Sequence, residues 1–211
     1  MIVSSYGVEF FKIQHGDIVL AVNPPSKNSA FKKPRFGADI VLSTANHPDL
    51  NGVAEAAFGG KTPFEIAGPG EYEVKGVFVK GLASVSRYGG ERLNTIYYLT
   101  LEGVNICFLG ALGMAALESQ TKETLDDVDI LFVPIGGEGV LEASDAYRLA
   151  VSLEPKLIIP MHYGEVGRKD ALKIFLKEGG AEDAEAVDKL TVKKKDLDSK
   201  EGEIVILQPQ N

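Results

Sequence analysis

The chain has 211 residues, of which 45% are apolar and 25% charged, ordinary values for a globular protein. A chain this long buries roughly 70% of its unfolded surface, so one domain spanning residues 1–211 is expected to fold without staples. The formal net charge of −8 argues against nucleic-acid or anionic-membrane partners, and the single cysteine, Cys107, excludes an internal disulfide and a Cys-rich zinc module.

In chain order, Val8 to Ile13 and Ile18 to Val22 flank His15-Gly16-Asp17 and predict a hairpin. Residues 27 to 37 read as a basic loop. The apolar run in Ala38-Asp39-Ile40-Val41-Leu42-Ser43 predicts a buried strand. After it, Leu50, Val53, Ala54, Ala57 and Phe58 recur at helical spacing. They predict a helix entered near Asp49, where the carboxylate would cap free N–H groups, and closed by Gly59-Gly60. Phe64 to Ala67, Glu71 to Val74 and Val77 to Leu82 read as strands. Thr95 to Leu101 and Val104 to Leu109 flank Glu102-Gly103 as a second hairpin.

The rhythm then changes to alternating helix and strand. Met114 to Thr124 reads as helix and Ile130 to Val133 as a buried strand. Ala143, Ala146, Tyr147, Ala150 and Val151 line a helix that Pro155 stops. Leu157 to Pro160 is another buried strand, residues 171 to 176 a third helix, and residues 202 to 207 a last strand. Strand-rich sequence followed by βαβα predicts an α/β layered domain. The N-terminal residues lack a basic n-region with an apolar h-region, and no stretch approaches 18 apolar residues. A cytoplasmic protein with no signal peptide and no membrane span is expected.

Several motifs fail on inspection. Gly60-Lys61-Thr62 has Glu55 where a phosphate-binding loop needs its first glycine. No Gly-x-Ser-x-Gly elbow exists, so an α/β-hydrolase nucleophile is unsupported. Cys107 lies in an apolar strand and reads as a small buried hydrophobe.

One segment carries chemistry. Ser43-Thr44-Ala45-Asn46-His47-Pro48-Asp49-Leu50 places an imidazole and a carboxylate two residues apart at the end of a buried strand, where α/β folds place ligands. It resembles the His-x-His-x-Asp-His metal motif of the metallo-β-lactamase superfamily, in particular its branch of small Zn-dependent hydrolases. Gly68-Pro69-Gly70-Glu71-Tyr72, Leu109-Gly110-Ala111-Leu112-Gly113, Pro134-Ile135-Gly136-Gly137 and Pro160-Met161-His162-Tyr163 extend the likeness along nearly the whole chain. The resemblance implies a four-layer αβ/βα sandwich of two mixed sheets, with metal ions at one edge.

The same resemblance marks departures. Family members hold one or two zinc ions with about five histidines and two aspartates, whereas this chain has His15, His47 and His162 alone. Ala45 and Leu50 stand in place of two motif histidines, Ser86 near a third, and Ala111 in place of the bridging aspartate. Asn23 replaces a supporting aspartate. His47, Asp49 and His162 remain as remnant metal ligands, with His15 in a distant hairpin turn. The three should lie within roughly 10 Å of one another, with Ala45, Leu50, Ser86 and Ala111 lining the same pocket. A catalytic zinc takes three protein ligands and an open position, so this donor supply does not suffice for two ions.

The expectation is therefore a metallo-β-lactamase-fold relative of metal-dependent hydrolases with a degenerate metal site, acting as a non-hydrolytic binding or interaction module. No cofactor is expected. Its partner would be a small molecule or a protein, with neither nucleic acid nor membrane. The alternative is a hydrolase with one divalent ion (Zn, Mn or Fe) held by His47, Asp49 and His162, since two histidines and one carboxylate can hold such ions with open positions.

Overall fold

A computed structural model describes residues 1–31 and 34–210; Lys32 and Lys33 of the basic loop read from the sequence lie outside the described residues. Two mixed sheets face each other. The first is built from β1 (Ile2–Ser5), β2 (Phe11–His15), β3 (Ile18–Val22), β4 (Ile40–Leu42), β5 (Phe64–Ile66) and β12 (Leu190–Thr191), in the order β12-β1-β2-β3-β4-β5. The second holds β6 (Gly70–Val74), β7 (Val77–Ser86), β8 (Arg92–Leu101), β9 (Val104–Phe108), β10 (Ile130–Pro134), β11 (Leu157–Met161) and β13 (Glu203–Ile204), in the order β13-β11-β10-β9-β8-β7-β6.

Strand chemistry follows burial. All five residues of β10 and all five of β11 are buried, as befits central parallel strands covered on both faces. The paired hairpin strands β7 and β8 carry exposed or half-buried residues as well, because one of their faces is partly open to water. The last strand joins the second half of the chain: β13 pairs parallel with β11.

The main core lies between the sheets. Phe11 comes from the first sheet, Phe108 and Phe132 from the second; the latter two stack at 4.0 Å and Phe11 meets Phe132 edge-on at 4.8 Å. The Tyr97 hydroxyl ties the layers, lying 3.0 Å from the carbonyl oxygens of both Ser43 and Ile66. Outside the second sheet, α1 (Ser119–Thr124), α2 (Ala143–Ser152) and α3 (Ala171–Glu178) follow in chain order, and a second core joins the sheet to α2 and α3 through Leu131, Val133, Ala146, Leu149 and Phe175.

Two helices differ from the sequence expectation. Over residues 50–58 only a single 3-10 turn forms, Val53–Ala56, and Phe58 is 51% exposed. Gly52 packs so tightly that a Cβ there would lie 2.3 Å from the Pro25 oxygen, and Gly59 and Gly60 adopt left-handed φ. The stretch between those pins is too short to repay helix nucleation. Likewise α1 begins only at Ser119, and residues 114–118 run irregularly before it. At the N-terminus, residues 8–10 belong to the turn before β2, and β1 and β12 add strands whose short, mixed sequences carry little period-2 signal.

Parallel strands β3, β4, β9, β10 and β11 all run to the same edge. Their following loops supply Asn23, residues 43–51, Gly110–Leu112, residues 135–141 and His162, so residues far apart in sequence meet there.

Candidate functional site

His162 follows β11 directly and is 1% exposed. Its Nδ1 lies 2.6 Å from Oε1 of Glu9, whose side chain is fully buried. The other Glu9 oxygen accepts a 2.7 Å bond from Asn23 Nδ2, which also reaches Thr44 Oγ1, while Thr44 N–H donates to Asn23 Oδ1. Glu9, Asn23, Thr44 and His162 thus form one connected buried polar network.

The backbone around this network is unusual. Val8, Asn23 and His162 all take left-handed φ, at 50°, 50° and 58°. For a β-branched residue such as Val8 that conformation is strained. It is held by a 2.7 Å bond from His162 N–H to the Val8 carbonyl, which fixes Glu9 under the imidazole.

His47 and Asp49 stand on the loop after β4. The Asp49 N–H donates to His47 Nδ1 at 3.3 Å, and the same nitrogen lies 3.4 Å from Asp49 Oδ2. Burial holds the His47 pKa below its usual value; Asp49 opposes the shift, and Arg92 and His162 add to it. Asp49 does not cap a helix. Its Oδ1 accepts from Ser29 Oγ at 2.6 Å and its Oδ2 from Tyr88 Oη at 2.7 Å.

Tyr88 is the centre of the arrangement. Its ring centroid lies 4.5 Å from that of His47 and 4.5 Å from that of His162, the latter edge-on at 88°. Burial and then the Asp49 bond push the phenol pKa up, so the hydroxyl stays protonated and donates. His47, Asp49 and His162 therefore meet around one phenol ring. The positions singled out beside them also converge: Ala45, Leu50 and Ala111 pack with Val140 and Tyr88 in one small apolar cluster, and Ser86 Oγ accepts from Tyr88 N–H at 3.1 Å. Behind Thr44, Gly110 allows a close approach that a side chain would block, since a Cβ would lie 2.6 Å from Asn94 Oδ1. His15 is elsewhere, 3.5 Å from Glu102 across two hairpin turns.

Glu9 and Tyr88 escaped the sequence reading. Glu9 was detectable as a lone carboxylate within an apolar stretch, an arrangement that needs a buried partner. Tyr88 lies in an ordinary-looking turn, two residues after Ser86, and nothing in its spacing marks it. Among the described residues, no group of three or more His, Cys, Asp or Glu side chains is arranged to hold a metal ion.

Comparison with known proteins supplies the lineage. Residues 3–162 match the family model described as a beta-lactamase superfamily domain. A UPF0173 metal-dependent hydrolase of Listeria innocua is 32% identical over 130 residues, covering 60% of this chain, and one of Natranaerobius thermophilus is 26% identical over 137 residues, covering 65%. The chain spans about half the length of the first of these, 54%. Among solved structures, a protein of Thermotoga maritima assigned as a Zn-dependent hydrolase of the metallo-β-lactamase superfamily superimposes with a TM-score of 0.72 at 25% identity, covering 98% of this chain and 97% of that one. A metallo hydrolase of Ignicoccus hospitalis gives 0.66 at 16% identity, covering 100% and 96%, which speaks to fold alone. With the family match over most of its length and two facing mixed sheets, the chain belongs to the metallo-β-lactamase superfamily.

Proposed function

We propose that this chain is a non-hydrolytic binding or interaction module of the metallo-β-lactamase fold, one domain over residues 1–211 acting in the cytoplasm on a small molecule or a protein. The residues at the family's metal positions do not fit a two-metal centre. The observation that carries this reading is the Tyr88 ring between His47 and His162, with its hydroxyl on Asp49. Zinc ligands must present free lone pairs at about 2.0 to 2.3 Å from one point. Both Asp49 oxygens accept hydroxyl protons, so an ion there would compete with Ser29 and Tyr88, and His162, with Nδ1 on Glu9, offers Nε2 alone. Ala45, Leu50 and Ala111 contribute packing where donors would be needed. No helix among the described residues is long and apolar enough to cross a membrane.

The second reading is a hydrolase using one divalent ion on His47, Asp49 and His162. The names of the relatives, metal-dependent hydrolases, favour it. Assays on generic ester, lactam and phosphodiester substrates with added Zn, Mn or Fe separate the two. The module reading predicts no turnover above the metal-ion blank, and no difference between the native chain and His47→Ala. Turnover abolished by both His47→Ala and His162→Ala would establish the hydrolase instead.

A further inference from the structure

We propose that the space between His47 and His162 is a binding slot for a flat phenol ring, which Tyr88 occupies from within the chain. This deepens the non-metal reading above and rests on it. The slot has the parts such a ligand needs. Two imidazoles, each 4.5 Å from the ring centroid, bound its sides. Ala45, Leu50, Ala111 and Val140 form the apolar bed. One carboxylate oxygen, Asp49 Oδ2, receives the hydroxyl at 2.7 Å, and Ser29 satisfies the other oxygen. Glu9 and the left-handed backbone at His162 hold one wall rigid.

The same parts set the ligand's chemistry. A neutral ring bearing a hydrogen-bond donor fits, because the acceptor is anionic and the walls are imidazole. A carboxylate or phenolate would be repelled by Asp49 and by the nearby Glu9. Tyr88 is only half-buried, so the slot opens to solvent along one side. The turn that delivers Tyr88 continues into Gly89 and Gly90, both at positive φ, and a Cβ at Gly89 would lie 2.7 Å from His47 Nε2. A tethered ring has an effective concentration in the millimolar range or above, so free phenols compete poorly while Tyr88 is in place.

The test uses the full chain after dialysis against chelator, with residual metal quantified, and p-cresol as the probe. Calorimetry and imidazole NMR signals report binding. The native chain and Tyr88→Phe should show no binding at millimolar p-cresol, since both keep a ring in the slot. Tyr88→Gly should bind p-cresol and shift the His47 and His162 signals. Toluene, which cannot donate to Asp49, should bind that variant at least about tenfold more weakly. If Tyr88→Gly is only partly folded, p-cresol should raise its folded fraction, because a ligand of the native state stabilises it. A metal-free Tyr88→Gly that neither binds p-cresol nor is refolded by it overturns the slot, as does equal binding of toluene. Metal held stoichiometrically by the native chain would instead defeat the underlying non-metal reading.

Discussion

Glu9 is a fully buried carboxylate 153 positions from its imidazole partner, and no local rule of sequence pairs the two. Removing one partner of a buried pair leaves the other uncompensated. Glu9→Ala should therefore destabilise the fold by about 3 kcal/mol or more, read by urea denaturation, with Glu9→Gln costing less because it retains an acceptor. Equal stability of Glu9→Ala and the native chain would show that the network contributes nothing. Asp39 gives the acid counterpart. Burial alone would raise its pKa, but hydrogen bonds from Lys61, Lys75 and the Val19 N–H outweigh burial and lower it from 3.8 to about 2. A depressed carboxylate stabilises the fold above its unfolded value and loses that contribution as pH falls from 3.8 toward 2. Both lysines are substantially exposed, 41% and 57%, so the effect is screened. Asp39→Asn should cost about 1 kcal/mol near neutral pH. The gap between variant and native chain should narrow as denaturation is repeated toward pH 3. At this scale family likeness singled out His47, Asp49 and His162, which meet around Tyr88, and missed Tyr88 itself because what matters about it is position in space.

Elements explain which expectations held. The buried strands at 40–42, 130–134 and 157–161 were legible because continuous apolar runs bounded by turn residues have few alternatives. The helix at α3 was legible from its spaced apolar residues, and Phe175 is fully buried in the core beneath it, edge-on to Tyr147 at 5.7 Å. Phe175→Ala should cost about 3 to 5 kcal/mol by loss of burial and the cavity left behind, measured by chemical denaturation. The stretch 50–58 shows the limit of periodicity: its apolar spacing was helical, yet glycine contacts at residue 52 decided the outcome. Tyr97 links elements of both sheets, and Tyr97→Phe removes a hydroxyl that reaches two buried carbonyls, of which that of Ile66 also accepts from the Ser43 N–H. A loss of about 1 kcal/mol is expected; a neutral effect would mean the Ser43 carbonyl finds another donor.

At the scale of the molecule, two stacked sheets bring the ends of five parallel strands to one edge, as in the superfamily, and this chain fills that edge with its own side chains. Ala45, Leu50 and Ala111 read in the sequence as losses; in the fold they pack with Tyr88 as a gain of apolar contact. The central claim is that hydrogen bonds and packing, and no bound ion, organise the pocket. Elemental analysis of the protein purified without chelator tests it most directly. The account predicts well under one metal ion per chain, and a midpoint of thermal unfolding unchanged by chelator, because no metal-linked folding energy is present to lose. One ion per chain that survives dialysis, with a midpoint that falls on chelation and with the ion lost in His47→Ala or His162→Ala, would contradict it.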